Sequence, residues 1–155
     1  MPVFASRIDT SHPVAALARD ARRLLKTLGR QKAELSLSLC DDAFIQRQNL
    51  VWRNVDAATD VLSFGQNDPV LLGDVLISVD RAGEQAAEQG HDLATELRIL
   101  LVHGLCHLLG HDHTEEGDTS LMRAREVALL ATLGVGAASL IARVRADVDV
   151  PPAQR

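Results

Sequence analysis

Residues 92–113 read DLATELRILLVHGLCHLLGHDH. Asp92 carries the short carboxylate that suits a helix N-cap. From about Leu93 to Leu109 the chain is apolar almost all round, through Leu97, Ile99, Leu100, Leu101, Val102, Leu105, Leu108 and Leu109. A helix without a polar face belongs inside a core, so this segment predicts a central helix covered by the rest of the fold. His103 and His107 are set into it four residues apart, one turn from each other on one face. Buried imidazoles need partners, and two at this spacing can share one ion. Gly110 can end the helix in a left-handed turn and bring back a third imidazole, from His111 or His113. Three nitrogen ligands with a fourth position left to water is the usual catalytic zinc site, whereas structural sites close all four.

The spacing HxxxHxxGxxH is similar to that of the metzincin proteases. His113 takes their offset of ten from His103 and is the preferred third ligand. His111 is then a substrate-facing, outer-shell or exposed residue. The protease motif places Glu directly after the first His as general base. Gly104 stands there instead, so this metal must work without that base. Asp112 and Glu96 are candidate acceptors for the second N–H of a ligating ring, Glu96 lying seven residues before His103 on the same helical face. A first-turn Glu is equally explained by the helix dipole. His12 and His91 stand alone and read as surface or capping residues. Cys106 reads as core despite its place between two ligands, and with Cys40 it makes no disulfide framework, which predicts reduced thiols.

Working outward, residues 2–8 suit an opening strand. Ser11 is a candidate cap for a helix with Pro13 in its first turn, and Val14, Leu17, Ala18, Leu24, Leu25 and Leu28 keep the 3.6-residue period up to Gly29. ELSLSLC, residues 34–40, alternates as a half-buried strand does. Asp41 or Asp42 can cap a second helix that buries Phe44, Ile45, Val51 and Trp52. A strand at about Asp60–Phe64, the turn GQNDP and a strand LLGDVLISV predict an antiparallel pair. Asp80 can cap a helix to about Gln89, the histidine helix follows, and another helix runs to about Leu133. The order β-α-β-α-β-β-α-α-α predicts an α/β (α+β) fold: a small mixed four-stranded sheet packed with about five or six helices, the metal site at the end of a buried helix. Val135–Val148 has a weaker helical pattern.

The 155 residues suit one domain, 1–155, and 46% apolar with 24% charged residues is ordinary for a globular protein. Three Phe, one Trp and no Tyr leave the core to aliphatic side chains and exclude an aromatic base-stacking platform. No apolar run approaches the roughly 20 residues of a membrane span. MPVFASRIDTSHP has no secretory-signal pattern, which predicts a cytoplasmic protein. The net charge of −5 argues against a broadly nucleic-acid-binding surface. Residues 19–32 depart from it: Arg19, Arg22, Arg23, Lys26, Arg30 and Lys32 against Asp20 give +5, leaving −10 on the remainder. Such a stretch is either a solvated helix face or a local face for RNA.

HGLCHLLGHDH, together with NLVWRNVDAATDVLSF at residues 49–64 and GDVLIS at 73–78, resembles the bacterial YbeY family of metal-dependent endoribonucleases acting in ribosomal RNA maturation. The resemblance covers about residues 3–134 and leaves 135–155 as a C-terminal extension. It implies His103, His107 and His113 as ligands of one Zn2+ per chain, although three imidazoles also suit nickel or copper. It implies Arg53 as a site residue, whose guanidinium can bind phosphate bidentately and stabilise developing charge. It further implies single-stranded RNA, a ribosomal RNA precursor, as substrate, and the ribosome or small-subunit assembly proteins as partners. The family's Lys and Pro after the arginine are replaced here by Val55 and Ala58, which removes one phosphate contact. A non-catalytic assembly factor with a structural zinc and a metalloprotease-like hydrolase are the alternative functions.

Overall fold

The alternating segment ELSLSLC forms one of the two interior strands of the sheet. The computed structural model describes residues 3–66, 68, 70–110 and 116–137, the side chains of 116–119 excepted. The elements are β1 (Val3–Ile8), α1 (Ala15–Thr27), β2 (Glu34–Cys40), α2 (Asp42–Arg53), β3 (Val61–Gly65), β4 (Leu71–Ser78), α3 (Val79–Gln89), α4 (Leu93–Leu108) and α5 (Glu116–Thr132). This is the order that the sequence predicts. The sheet order is β1-β2-β4-β3, with β1, β2 and β4 parallel and β3 antiparallel to β4. The weak helical pattern after Val135 falls mostly outside the described residues.

Strand β2 pairs on both sides, and its outer face is covered too. Leu35, Leu37, Leu39 and Cys40 are fully buried, so it is more than half-buried. The inner leucines share the main core with residues of α1 and α4, and Cys40 joins Ile45 and Leu62 in a smaller cluster under α2. Helix α4 buries ten residues from Glu96 to Cys106, as its all-round apolar pattern requires. It comes very close to the sheet because Gly104 has no side chain. A Cβ there would lie 3.0 Å from Val75 Cγ1 and 3.3 Å from Val61 Cγ2. One turn on, Leu108 packs against Gly73, whose φ of 141° only glycine adopts readily.

Three expectations are corrected. Helix α1 begins at Ala15 with Val14 as an uncapped N-cap, and Ser11 is not used. Residues preceding a proline avoid helical geometry, and the Ser11 carbonyl accepts from Arg7 Nη1 at 3.1 Å. Helix α3 is capped by Ser78, whose Oγ accepts from Arg81 N while its hydroxyl donates to Asp42 Oδ1 at 2.6 Å. Asp80 instead accepts the backbone N–H of Asp42 at 2.9 Å, tying the starts of α2 and α3 together. On α2, Asp41 caps through Phe44 N and Ile45 is buried, but Val51 and Trp52 are exposed at 69% and 66%. The helix covers only part of the outer sheet face, so just the 45/49 stripe is buried.

Topology fixes where the site lies. Helix α1 returns from the end of β1 to the start of β2, and α4 ends beside Gly73 near the start of β4. Antiparallel β3 finishes there as well, with Gly65 paired to Gly73. The C-termini of α1, β3 and α4 therefore share one end of the sheet.

Candidate metal centre

His103 is buried and His107 lies one turn nearer the open end of α4, half-buried. Their Nε2 atoms are 3.2 Å apart, with the rings nearly perpendicular and their centroids 4.7 Å apart. Two imidazoles each about 2.0–2.1 Å from a tetrahedral ion would place their nitrogens about 3.3 Å apart. The second ring nitrogen supports the same use: His103 Nδ1 is 3.2 Å from Glu126 Oε2 on α5. A carboxylate at Nδ1 holds the N–H there and leaves the Nε2 lone pair directed at His107. Two lone pairs facing at this distance repel unless a proton or cation lies between them. The donor pair therefore fits a divalent metal. Among the described residues no group of three candidate ligands converges; His113, the predicted third ligand, lies outside them, as do His111 and Asp112.

Glu126 was not singled out in the sequence, although a signal was present. It falls on the buried stripe Met122, Glu126, Leu129, Leu130 and Leu133, where a lone carboxylate needs a partner. Arg123 Nη1 also approaches its Oε1 at 3.3 Å. Glu96, one of the two acceptors that the sequence offers, is fully buried and receives His91 Nε2 at 2.7 Å. His91 is accordingly not a surface residue: its side chain is 12% exposed. The pair fastens the start of α4 to the turn after α3.

Arg53 is the last residue of α2, followed by Asn54 in a left-handed C-cap with φ of 57°. Its Nη2 donates to the Ser63 carbonyl at 2.6 Å, and its guanidinium sits 5.2 Å above the Phe64 ring. Phe64 in turn contacts Trp52, with ring centroids 6.3 Å apart. The arginine is exposed, so its remaining N–H groups are open to an anion. Ser63 lies on β3, an edge strand that packs against α4. Its register neighbours frame the histidine turn: Val61 meets Gly104, and Gly65 pairs with the Gly73 that meets Leu108.

The loop between Arg53 and β3 is held by α2. Asn49 Nδ2 donates to the Ala57 carbonyl at 2.9 Å, and Gln46 Nε2 donates to Asp56 at 3.0 Å. Asp60 is a buried knot: its carboxylate accepts from Val61 N at 2.8 Å and from Gln85 on α3 at 3.1 Å. Thus Asp60 positions β3, while Val55 and Ala58 place no cation beside Arg53. Neither cysteine is a nucleophile here. Both are free, and burial above all raises their thiols from 9.0 to about 12.

A family model described as endoribonuclease YbeY matches residues 6–134. A relative of that description from Roseiflexus castenholzii is 49% identical over 147 residues, covering 87% of this chain and 90% of the relative. One from Pelotomaculum thermopropionicum is 41% identical over 150 residues, covering 87% and 99%. One from Myxococcus xanthus is 44% identical over 153 residues and 86% of this chain, but the chain spans only 52% of its length. The solution structure of a Thermotoga maritima protein superposes with a TM-score of 0.63 over 98% of this chain and 100% of that one. At 20% identity that match speaks for the fold alone.

Proposed function

The chain belongs to the endoribonuclease YbeY family, and we propose that it is a zinc-dependent endoribonuclease that cleaves single-stranded RNA during ribosomal RNA maturation. The observation that carries this reading is the pair of facing imidazole nitrogens on α4, with an anion-competent arginine anchored on the neighbouring strand β3. Zinc held by His103, His107 and His113 supplies Lewis acidity toward a phosphoryl oxygen. Glu126 keeps His103 in the tautomer that leaves Nε2 to ligate. Arg53 binds a phosphate and stabilises the charge that develops on its oxygens. The Ser63 carbonyl and the Phe64 ring hold its fork in place, so less side-chain entropy is lost when the anion arrives. Gly104 packs against Val61 and Val75, so the protease-type base has no room at that position.

We further assign a ribosomal RNA precursor as substrate, the ribosome or small-subunit assembly proteins as partners and the cytoplasm as the site of action. No helix among the described residues is long and apolar enough to cross a membrane. The deciding experiment pairs metal analysis of the purified protein with cleavage of single-stranded and structured RNA by wild type, Arg53→Ala and His107→Ala. Cleavage is expected to need the metal and to be lost in Arg53→Ala, which keeps its metal and its melting temperature. Cleavage of a peptide library but not RNA would favour the hydrolase of protease type. If a stable Arg53→Ala protein keeps its cellular function while His113→Ala loses thermal stability sharply, the zinc is structural.

A further inference from the structure

Helix α1 carries a row of cations that finds no acidic partner among the described residues. Arg19, Arg22, Arg23 and Lys26 recur at spacings of three and four, and Arg30 and Lys32 extend the series through the turn into β2. Leu17, Ala18, Ala21, Leu24 and Leu25 fill the buried side, which leaves the row on the outer face. Arg19, Arg23, Lys26, Arg30 and Lys32 are exposed, and among the described residues none of the six bases makes an ion pair. Arg22 is half-buried, with its Nε shielded and without an acceptor. The one acid in the stretch, Asp20, is already engaged by Arg98 of α4 at 3.0 Å. An ordinary solvated helix face alternates and pairs its charges. This one does not, and like charges three and four apart weaken the helix unless an anion lies against it.

The placement is as informative as the charge. Because α1 and α4 both end at the same end of the sheet, the row leads toward the end that carries His107. There Glu34 N donates to the Val70 carbonyl and holds the α1–β2 turn against the start of β4. A shallow cleft of about 490 Å³ opens between Gly29, Arg30, Gln31, Lys32 and Val70. Against a remainder of the chain at −10, the +5 of residues 19–32 is a local attraction for a polyanion.

We propose that the exposed cations of α1 and of the turn after it form a second RNA-binding surface, which grips the phosphate backbone of the substrate away from the bond to be cut. The proposal rests on the endoribonuclease reading for its choice of polyanion, and charge complementarity selects RNA backbone rather than any particular base sequence. From Arg19 to Lys26 the helix rises about 10 Å, long enough for the row to meet more than one phosphate of an RNA strand.

The test uses the zinc-loaded full chain, the triple variant Arg19→Glu/Arg23→Glu/Lys26→Glu, its Gln counterpart in case reversal impairs folding, and two RNAs. One is an oligonucleotide of a few nucleotides that reaches only the histidine end; the other is a long single strand. For the long RNA, KM should rise at least tenfold with kcat unchanged. The slope of log KM against log salt should fall by about 0.7 per lost contact, or roughly 2 in all. Short-RNA cleavage should stay at the wild-type rate. An unchanged KM and salt slope for the long RNA overturn the surface. So does a variant that binds naked RNA normally but no longer binds ribosomal proteins, since the row would then be a protein-docking face. If wild type cleaves neither RNA, the nuclease reading fails by itself. Fluorescence anisotropy of the long RNA with the same variants then decides the surface separately, a tenfold loss of affinity supporting it and an unchanged affinity overturning it.

Discussion

His103 Nδ1 lies 3.2 Å from Glu126 Oε2, so a buried carboxylate on α5 sets the orientation of a ring on α4. Removing such an outer partner of a ligating histidine typically lowers metal affinity about 10–100-fold. Glu126→Ala is therefore expected to weaken zinc binding by that factor, read by competition with a chelator of known affinity. Glu126→Gln, whose amide oxygen can still accept from Nδ1, should lose less. Equal zinc affinity in wild type and the alanine variant would mean that Glu126 does not act through the His103 ring.

Gly104 decides a different question. A Cβ at this position meets Val75 at 3.0 Å and Val61 at 3.3 Å, and both neighbours are stiff β-branched residues on the sheet. Overpacking of this kind costs about 1–3 kcal/mol, and the gain in helix propensity from Gly to Ala offsets about 1 kcal/mol. Gly104→Ala should therefore lose up to about 2 kcal/mol in urea unfolding. Gly104→Glu should lose more, since it also pushes a carboxylate between two valines, and it should acquire no peptidase activity. A stable Gly104→Glu protein that cleaves peptides would restore the protease comparison.

Periodic features were legible in the sequence. The apolar run of α4 reads as a central helix because no face of it can stay in water, and the spacing of His103 and His107 places both rings on one side. The element order follows from such patterns and from strong turn chemistry at Gly29, Gly90 and GQNDP. What was not legible depends on contacts between distant segments. Trp52 looks like core because it is large and apolar, yet α2 overhangs the sheet and leaves it outside against Phe64. Glu96 and Glu126 look alike in sequence, and only the packing of α5 on α4 gives one to His103 while Gly90 turns His91 back to the other. Arg53 is marked in the sequence by the family resemblance alone, and the Ser63 carbonyl of β3 that anchors it is seen only in the fold.

That anchor makes Arg53→Lys an informative variant. Lysine keeps the charge but has no planar fork, so it cannot both hold the Ser63 carbonyl and bind a phosphate through two parallel bonds. It also forfeits the placement of the guanidinium over the Phe64 ring. A charge-assisted bidentate interaction is worth about 1.5–3 kcal/mol per bond. RNA cleavage should accordingly fall at least tenfold in Arg53→Lys. The exposed site predicts a melting temperature close to wild type, measured by calorimetry. Full activity with lysine would reduce the role of Arg53 to that of a simple point charge.

Cys40 should tie stability to alkaline pH. Its thiol is fully buried in the small cluster under α2 and donates to the Ile77 carbonyl at 3.5 Å. Burial raises it from 9.0 to about 12, with the carboxylates of Asp41 and Asp42 adding to the effect. Below about pH 9 the thiol is protonated in folded and unfolded chains alike, and stability does not respond to it. Between 9 and 12 the unfolded chain gives up a proton that the native one keeps, so stability falls as pH rises through that window. Urea midpoints for wild type should therefore drop from pH 8 to pH 10.5. Cys40→Ala should be less stable at pH 8, because it leaves a small cavity, yet lose less over the same pH interval. The native thiol should also resist alkylation at pH 8 and react only on unfolding. Rapid native alkylation, or the same pH slope in Cys40→Ala as in wild type, would show that the thiol does not carry the alkaline loss.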